Sequence, residues 1–161
     1  MKCIALIMVM GLMTAAHAQK ADFSGFYEGL RVGRNESDAS GLQQLQRTST
    51  YPGFVAGYSY VTNDNLLGVE AFADYHKKST TGKDAGVGLK VGRVMGSFLV
   101  FGRVAATGTW PSSRPQVGLG VEYKLDKNFA LTAFASHDQT TDGGIKRQNK
   151  NTAVGLLYYF H

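Results

Sequence analysis

One cysteine and three prolines are found in 161 residues, and each scarcity excludes something. Cys3 lies ahead of the apolar run Ile4 to Met13, so the chain beyond that run has no thiol for a disulfide, a nucleophile or a metal site. Three prolines against 20 glycines exclude collagen-like and linker sequence, and point to strands whose backbones curve or pack closely. No apolar run reaches the roughly 20 residues of a membrane-spanning helix, which excludes a helical membrane protein. Charged residues are 18% of the chain and aromatic residues 11%, a balance that disordered chains lack. His76, His137 and His161 stand far apart with no partner at ligand spacing, so no metal and no other cofactor is expected.

What is present begins with Lys2, the apolar run and the small-residue site Ala16-His17-Ala18, the three-part layout of a secretory signal peptide. Residues 1–18 are expected to be removed, leaving 19–161 as one domain. Beyond residue 20, helical periodicity gives way to period-two alternation in eight segments: 24–34, 51–61, 66–76, 85–93, 97–108, 116–125, 128–138 and 151–160. In most segments aliphatic and aromatic residues take one face, glycines and charges the other. Leu67, Val69 and Ala71 stand against Gly68, Glu70 and Phe72; Val117, Leu119 and Val121 stand against Gly118, Gly120 and Glu122.

The links separate a soluble sandwich from a membrane barrel. Those at 62–65, 94–96 and 126–127 are tight, while 35–50, 77–84, 109–115 and 139–150 are mostly long and polar. Alternating short and long links are what an up-and-down barrel with periplasmic turns and surface loops produces. Segments of about ten residues match the 9–11 that cross a bilayer at a tilt. The expected fold is all-β: an eight-stranded antiparallel up-and-down transmembrane β-barrel.

The last segment places Gly155, Tyr158 and Phe160 in a pattern that resembles the C-terminal signal read by the barrel-assembly machinery of outer membranes, with His161 following. Phe26-Tyr27-Glu28-Gly29, Leu67-Gly68-Val69-Glu70, Leu89-Lys90-Val91-Gly92 and Gly120-Val121-Glu122-Tyr123 add to this. In order and spacing they resemble small eight-stranded outer-membrane barrels, those of the outer membrane protein A transmembrane domain and of outer membrane protein X. The resemblance implies an internal ion-pair network. Glu70, Lys90 and Glu122 match three of its charged positions, Arg31 and Arg103 match two inward basic ones, and Thr132 stands where the family has an arginine. Alternation alone already puts Arg31, Glu70, Lys90, Arg103 and Glu122 on polar faces, and a charge inside an eight-stranded barrel must be paired or hydrated.

Three functions compete: a structural and surface-interaction protein with a plugged lumen, a narrow gated ion channel of porin-like kind, and a lipid A-modifying enzyme. Ser136-His137-Asp138 is the one tempting catalytic constellation, but neighbours in a strand point to opposite faces, so His137 cannot readily activate Ser136. Gly118-Leu119-Gly120 lacks the strand-turn-helix setting of a phosphate loop. The expectation is a protein without catalytic activity. Residues 35–50, 77–83, 109–115 and 139–150 hold eight bases and three acids, among them Lys77, Lys78, Lys83, Arg114, Lys146, Arg147 and Lys150. Lys77, Lys78, Lys83, Lys146, Arg147 and Lys150 are candidate contacts to phosphorylated lipopolysaccharide. Export to the outer membrane of a Gram-negative bacterium makes lipid, lipopolysaccharide, the assembly machinery and an unidentified host or surface ligand the expected partners. It removes nucleic acid. A monomer is expected.

Overall fold

The computed structural model describes residues 21–40, 45–76, 84–108 and 113–161; residues 1–18 and the lysines at 77, 78 and 83 lie outside them. The described residues form β1 (Gly25–Ser40), β2 (Leu45–Thr62), β3 (Asn65–Asp74), β4 (Asp84–Met95), β5 (Phe98–Thr107), β6 (Arg114–Lys124), β7 (Phe129–Asp142) and β8 (Ile145–Phe160). Each strand pairs antiparallel with the next and β8 returns to β1, so the sheet closes without a free edge. Stepping across registered partners from Tyr27 through Gly57, Glu70, Gly88, Ala105, Gln116, Asp138 and Asn149 returns to β1 at Ser37, ten residues further on. At ~3.3 Å per residue and ~4.8 Å between strands, that stagger tilts the strands by about 40°.

Alternation then sorts side chains between two solvents. Leu119 is 73% exposed on the outer wall, while Glu122, three residues on, is 1% exposed inside. Outward rings collect at the end with the short turns, in pairs such as Phe26 with Phe160, Phe98 with Tyr123 and Phe129 with Tyr158, at centroid distances of 5.4, 4.7 and 5.2 Å. They form the aromatic girdle of a membrane barrel. No helix among the described residues is long and apolar enough to cross a membrane.

The turns follow their residues. Asn63 and Asp64 both adopt positive φ, 48° and 69°, the conformation of the two-residue turn whose twist suits a hairpin. Between β6 and β7, Asp126 Oδ1 accepts from the amides of Asn128 and Phe129 at 2.8 and 2.7 Å. Those two backbone bonds hold its carboxyl below the usual carboxylate range.

Two expected loops are strands instead. Residues 35–40 and 45–50 extend the β1–β2 hairpin, and 139–142 with 145–150 extend β7–β8, which turns on Gly143-Gly144 at φ 56° and 77°. Above the apolar belt both faces of a strand meet polar surroundings, so the sequence there has no apolar alternation. The ladder continues regardless, with Asn35 Nδ2 donating to Asn151 Oδ1 at 2.8 Å across the β1–β8 seam.

Two consequences are measurable by unfolding titrations in lipid vesicles. Val121→Arg, in the apolar belt, should cost about 2–4 kcal/mol, whereas Thr48→Arg beyond the belt should cost less than about 1 kcal/mol. Asp126→Ala should be destabilising at neutral pH. Because the folded carboxyl titrates below its unfolded value of about 3.9, the difference from wild type should be full above about pH 5 and vanish on acidification through the folded value.

Candidate functional site

The interior is built in tiers. At the short-turn end Phe23 closes the barrel beside Tyr159, and the Lys124 ammonium lies 3.7 Å from the Tyr159 ring centroid while donating to the Lys127 carbonyl at 3.0 Å. Above it, Lys90 is wholly buried and donates to Glu122 Oε1 at 2.5 Å, with the rings of Tyr27 and Phe101 at 4.7 and 4.4 Å from its nitrogen. Tyr159 and Tyr27 donate their phenol protons to Glu122 Oε2 and Glu70 Oε2, at 2.7 and 2.8 Å. Each carboxylate is thus met by a cation on one oxygen and a phenol on the other.

Arg103 pairs with Glu70 and donates to Gln116 Oε1 at 2.6 Å. Its guanidinium lies between the rings of Phe72 and Phe134, 4.2 and 4.1 Å from their centroids. A planar guanidinium, weakly hydrated, suits a place between two rings better than an ammonium does. One tier outward, Arg31 grips Asp74 with Nε and Nη2 at 2.9 and 2.8 Å, a bidentate pair.

At the outer end Arg114 bridges two carboxylates, Asp138 and Asp84, the latter at 2.5 Å. Asn149 donates to Asp138 at 2.7 Å, and His76 Nε2 stands 3.5 Å from Asp84 Oδ2 under the ring of Tyr51. Among the described residues the buried charges balance: Arg31, Lys90, Arg103, Arg114 and Lys124 against Glu70, Asp74, Asp84, Glu122 and Asp138. A cavity of about 10 Å³ remains between Arg31, Glu70, Arg103, Glu122 and Thr132, room for about one water.

Local sequence explains the fit. Glycines face inward wherever a ring lies against the wall: a Cβ on Gly57 would come within 2.6 Å of the Tyr27 ring, and Gly118 and Gly120 lie under Phe134 and Phe101 in the same way. The five charges inferred from alternation all point into this interior. Asp74, Asp84, Arg114, Asp138, Tyr27, Tyr159 and Lys124 belong with them, although none of these is assigned to the ion-pair network from sequence. Arg114, assigned to a surface loop by its sequence, is instead 4% exposed between two aspartates. Carrying the alternation of Gly118 and Gln116 two residues further would have found it.

Of the remaining candidates, Gly155 lies in the inner wall opposite Thr132, while Tyr158 and Phe160 project outward in the girdle. Lys146 and Lys150 are exposed on the outer face of β8, and Arg147 takes an inward-facing position between them, half-buried. His137 faces away from Ser136 and Asp138, which are buried in the lumen. No group of three or more His, Cys, Asp or Glu side chains among the described residues is placed to hold a metal ion.

A closed, tilted barrel with an apolar outside and a charged inside is the form of one family, and residues 4–160 match its pattern, the outer membrane protein beta-barrel domain. The chain belongs to that family. It is an outer-membrane protein of the small eight-stranded kind. Neisserial surface protein A has the same fold, with a TM-score of 0.55 at 19% identity over 85% of this chain and 98% of that one. The attachment invasion locus protein of Yersinia pestis, solved with the heparin analogue sucrose octasulfate, aligns with a TM-score of 0.51 at 13% identity over 84% of this chain and 99% of that one. No curated protein sequence matches this chain.

Lys90 and Glu122 provide the energetic test of the interior. Lys90→Met should destabilise by about 3–5 kcal/mol, since Glu122 would be left buried without its cation. Lys90→Met combined with Glu122→Gln should recover a large part of that loss in a double-mutant cycle read by urea unfolding in vesicles.

Proposed function

We propose that this protein is a catalytically inert envelope barrel, its lumen plugged by ion pairs, that serves as a structural and surface-contact element of the outer membrane. The observation that carries the reading is the filled interior: the pairs Lys90–Glu122, Arg103–Glu70, Arg31–Asp74 and Arg114–Asp138 span the lumen in tiers and leave a cavity of about 10 Å³. A conducting path needs a continuous column of water, and none fits past Lys90 or Arg103 without breaking a buried pair. Thr132 adds no fixed charge with which Glu122 could exchange partners.

Ser136 and Asp138 share the inner face, but Asp138 is held by Arg114 and Asn149, the buried His76 stands against Asp84, and His137 stands outside. Surface contact falls to the two hairpins that rise past the membrane, β1–β2 and β7–β8, with Lys146 and Lys150 outward near phosphorylated lipopolysaccharide. Export through the segment 1–18, reading of Gly155, Tyr158 and Phe160 by the assembly machinery, and a monomeric state complete the proposal.

Planar-bilayer recording decides between plug and channel. The refolded protein should show little or no stable conductance, and Glu122→Ala together with Lys90→Ala should raise it by removing one tier. Large steady conductance of the unmodified protein would make it a channel and overturn the plug.

A further inference from the structure

Among the described residues at the outer rim of the lipid-facing wall, charge is confined to one side. The outermost outward-facing described residues of β4, β5 and β6 are Ala85, Ala106 and Pro115, and Tyr75 follows β3; none is charged. On the adjacent strands β7, β8 and β1 the outward positions are His137, Lys150 and Arg34. Lys150 is registered opposite His137 on one side and Glu36 on the other. Arg34 lies two residues below Glu36, diagonal to Lys150, a spacing that long side chains bridge. Glu36 pairs with Arg34 at 3.0 Å, with both side chains at least half exposed, and Lys146 continues the outward row toward the hairpin tip. The patch is cationic even after Glu36 is counted.

Beneath it a shallow, open depression lies on the wall, with Arg34 at its head and Val32, Leu119, Ala133, Ala135, Thr152 and Val154 along it. The depression exists because β7 presents Ala133 and Ala135 where β6 and β8 on either side present Leu119 and Val154, with Val32 of β1 beyond β8. Along β1, Arg34 stands eight residues from Phe26 of the girdle, about 20 Å along the barrel axis at a 40° tilt. An apolar belt of about 25 Å puts such cations at the phosphate level of the outer leaflet.

We propose that the β7–β8–β1 seam seats one acylated, phosphorylated lipid of the outer leaflet, its phosphate between Arg34 and Lys150 and an acyl chain in the depression over Ala133 and Ala135. The inference rests on the lipid-contact part of the function proposed above and gives it a place and a ligand class. Phosphate supplies the charge that Arg34 and Lys150 share, and Arg34 can hold it through two parallel N–H bonds. The chain segment fills a hollow that lipid tails in bulk would pack less closely.

The test is a titration of the refolded protein in detergent micelles with bisphosphorylated lipid A, with retained lipid read by native mass spectrometry. Arg34→Gln with Lys150→Gln should weaken retention at least tenfold, and Ala135→Phe, which fills the depression, should weaken it similarly. Lys150→Arg should keep it. Unchanged retention in the double variant overturns the seat. Equal competition by inorganic phosphate, or unchanged retention in Ala135→Phe, overturns it too, because the site would then hold an anion without a chain. Heat-modifiable migration of each variant confirms a closed barrel. Conductance is measured separately, so loss of the lipid seat and loss of the plug are told apart.

Discussion

A charge sealed inside eight strands has no water to return to, and that constraint governs nearly every inward position of this barrel. Lys90 shows how it is met. Its ammonium finds Glu122 at 2.5 Å and two aromatic rings within 5 Å, and it keeps no exposed surface. Glu122 spends its other oxygen on Tyr159, whose ring stacks on Tyr27 at 5.1 Å, whose phenol in turn holds Glu70. Glu70 then holds Arg103, Arg103 reaches Gln116, and Gln116 lies 3.5 Å from Asp138 in the outer tier. Balanced pairs are therefore links of one chain of contacts. Removing a member alters the surroundings of its neighbour's neighbour, which is the condition under which mutational effects cease to add.

The outer wall obeys the opposite rule, and the two rules share a backbone. Lipid offers no partner to a polar group, so the outer wall between girdle and rim is mainly Leu, Val, Ala and aromatic, as at Leu67, Val69, Val121 and Leu156. Because successive residues alternate sides, a shift of one residue in any register would put Glu70 or Lys90 in hydrocarbon and Val69 or Val91 in the lumen. Register is thus fixed by both faces at once. The ten-residue stagger fixes the width, and the width fixes how many side chains fill the lumen. Glycines at 57, 118 and 120 are the adjustment, giving rings a place to lie where two full side chains would collide.

What could be read from residues alone was whatever alternates between apolar and polar. Eight segments, their sides and the inward direction of Arg31, Glu70, Lys90, Arg103 and Glu122 follow from that one signal. It fades where both faces are polar. Residues 35–40 and 145–150 therefore looked like loop, although backbone pairing needs no apolar face to continue. Arg114 was misplaced for the same reason: Pro115 and Ser113 give it no apolar neighbour to mark the side. Pairing was illegible for a different reason. That Arg103 takes Glu70, and Lys90 takes Glu122, depends on the stagger around the barrel, a property of closure that no single strand carries. Asp74 and Asp84, directly opposite each other across β3 and β4, would be a repulsive pair if those strands were all one could see. Arg31 and Arg114, arriving from other strands, resolve it.

The tall hairpins β1–β2 and β7–β8 are neighbours through the β1–β8 pair, which runs unbroken from Phe26 opposite Phe160 to Ser40 opposite Lys146. One wall of the barrel consequently rises past the membrane as a four-stranded sheet, while β3 to β6 stop near the rim. A sheet standing in water on both faces gains nothing from lipid and little from an apolar core. Its order must come from the rigid part below. The packed, charge-balanced lumen supplies that rigidity, since strands held by Arg31–Asp74 and Arg114–Asp138 cannot splay at the rim without exposing those pairs. On this reading the plug is the foundation of the surface element. The proposed lipid seat lies on that same wall, where a bound phosphate would tie β8 to β1 at the level where lipid ends and the raised sheet begins.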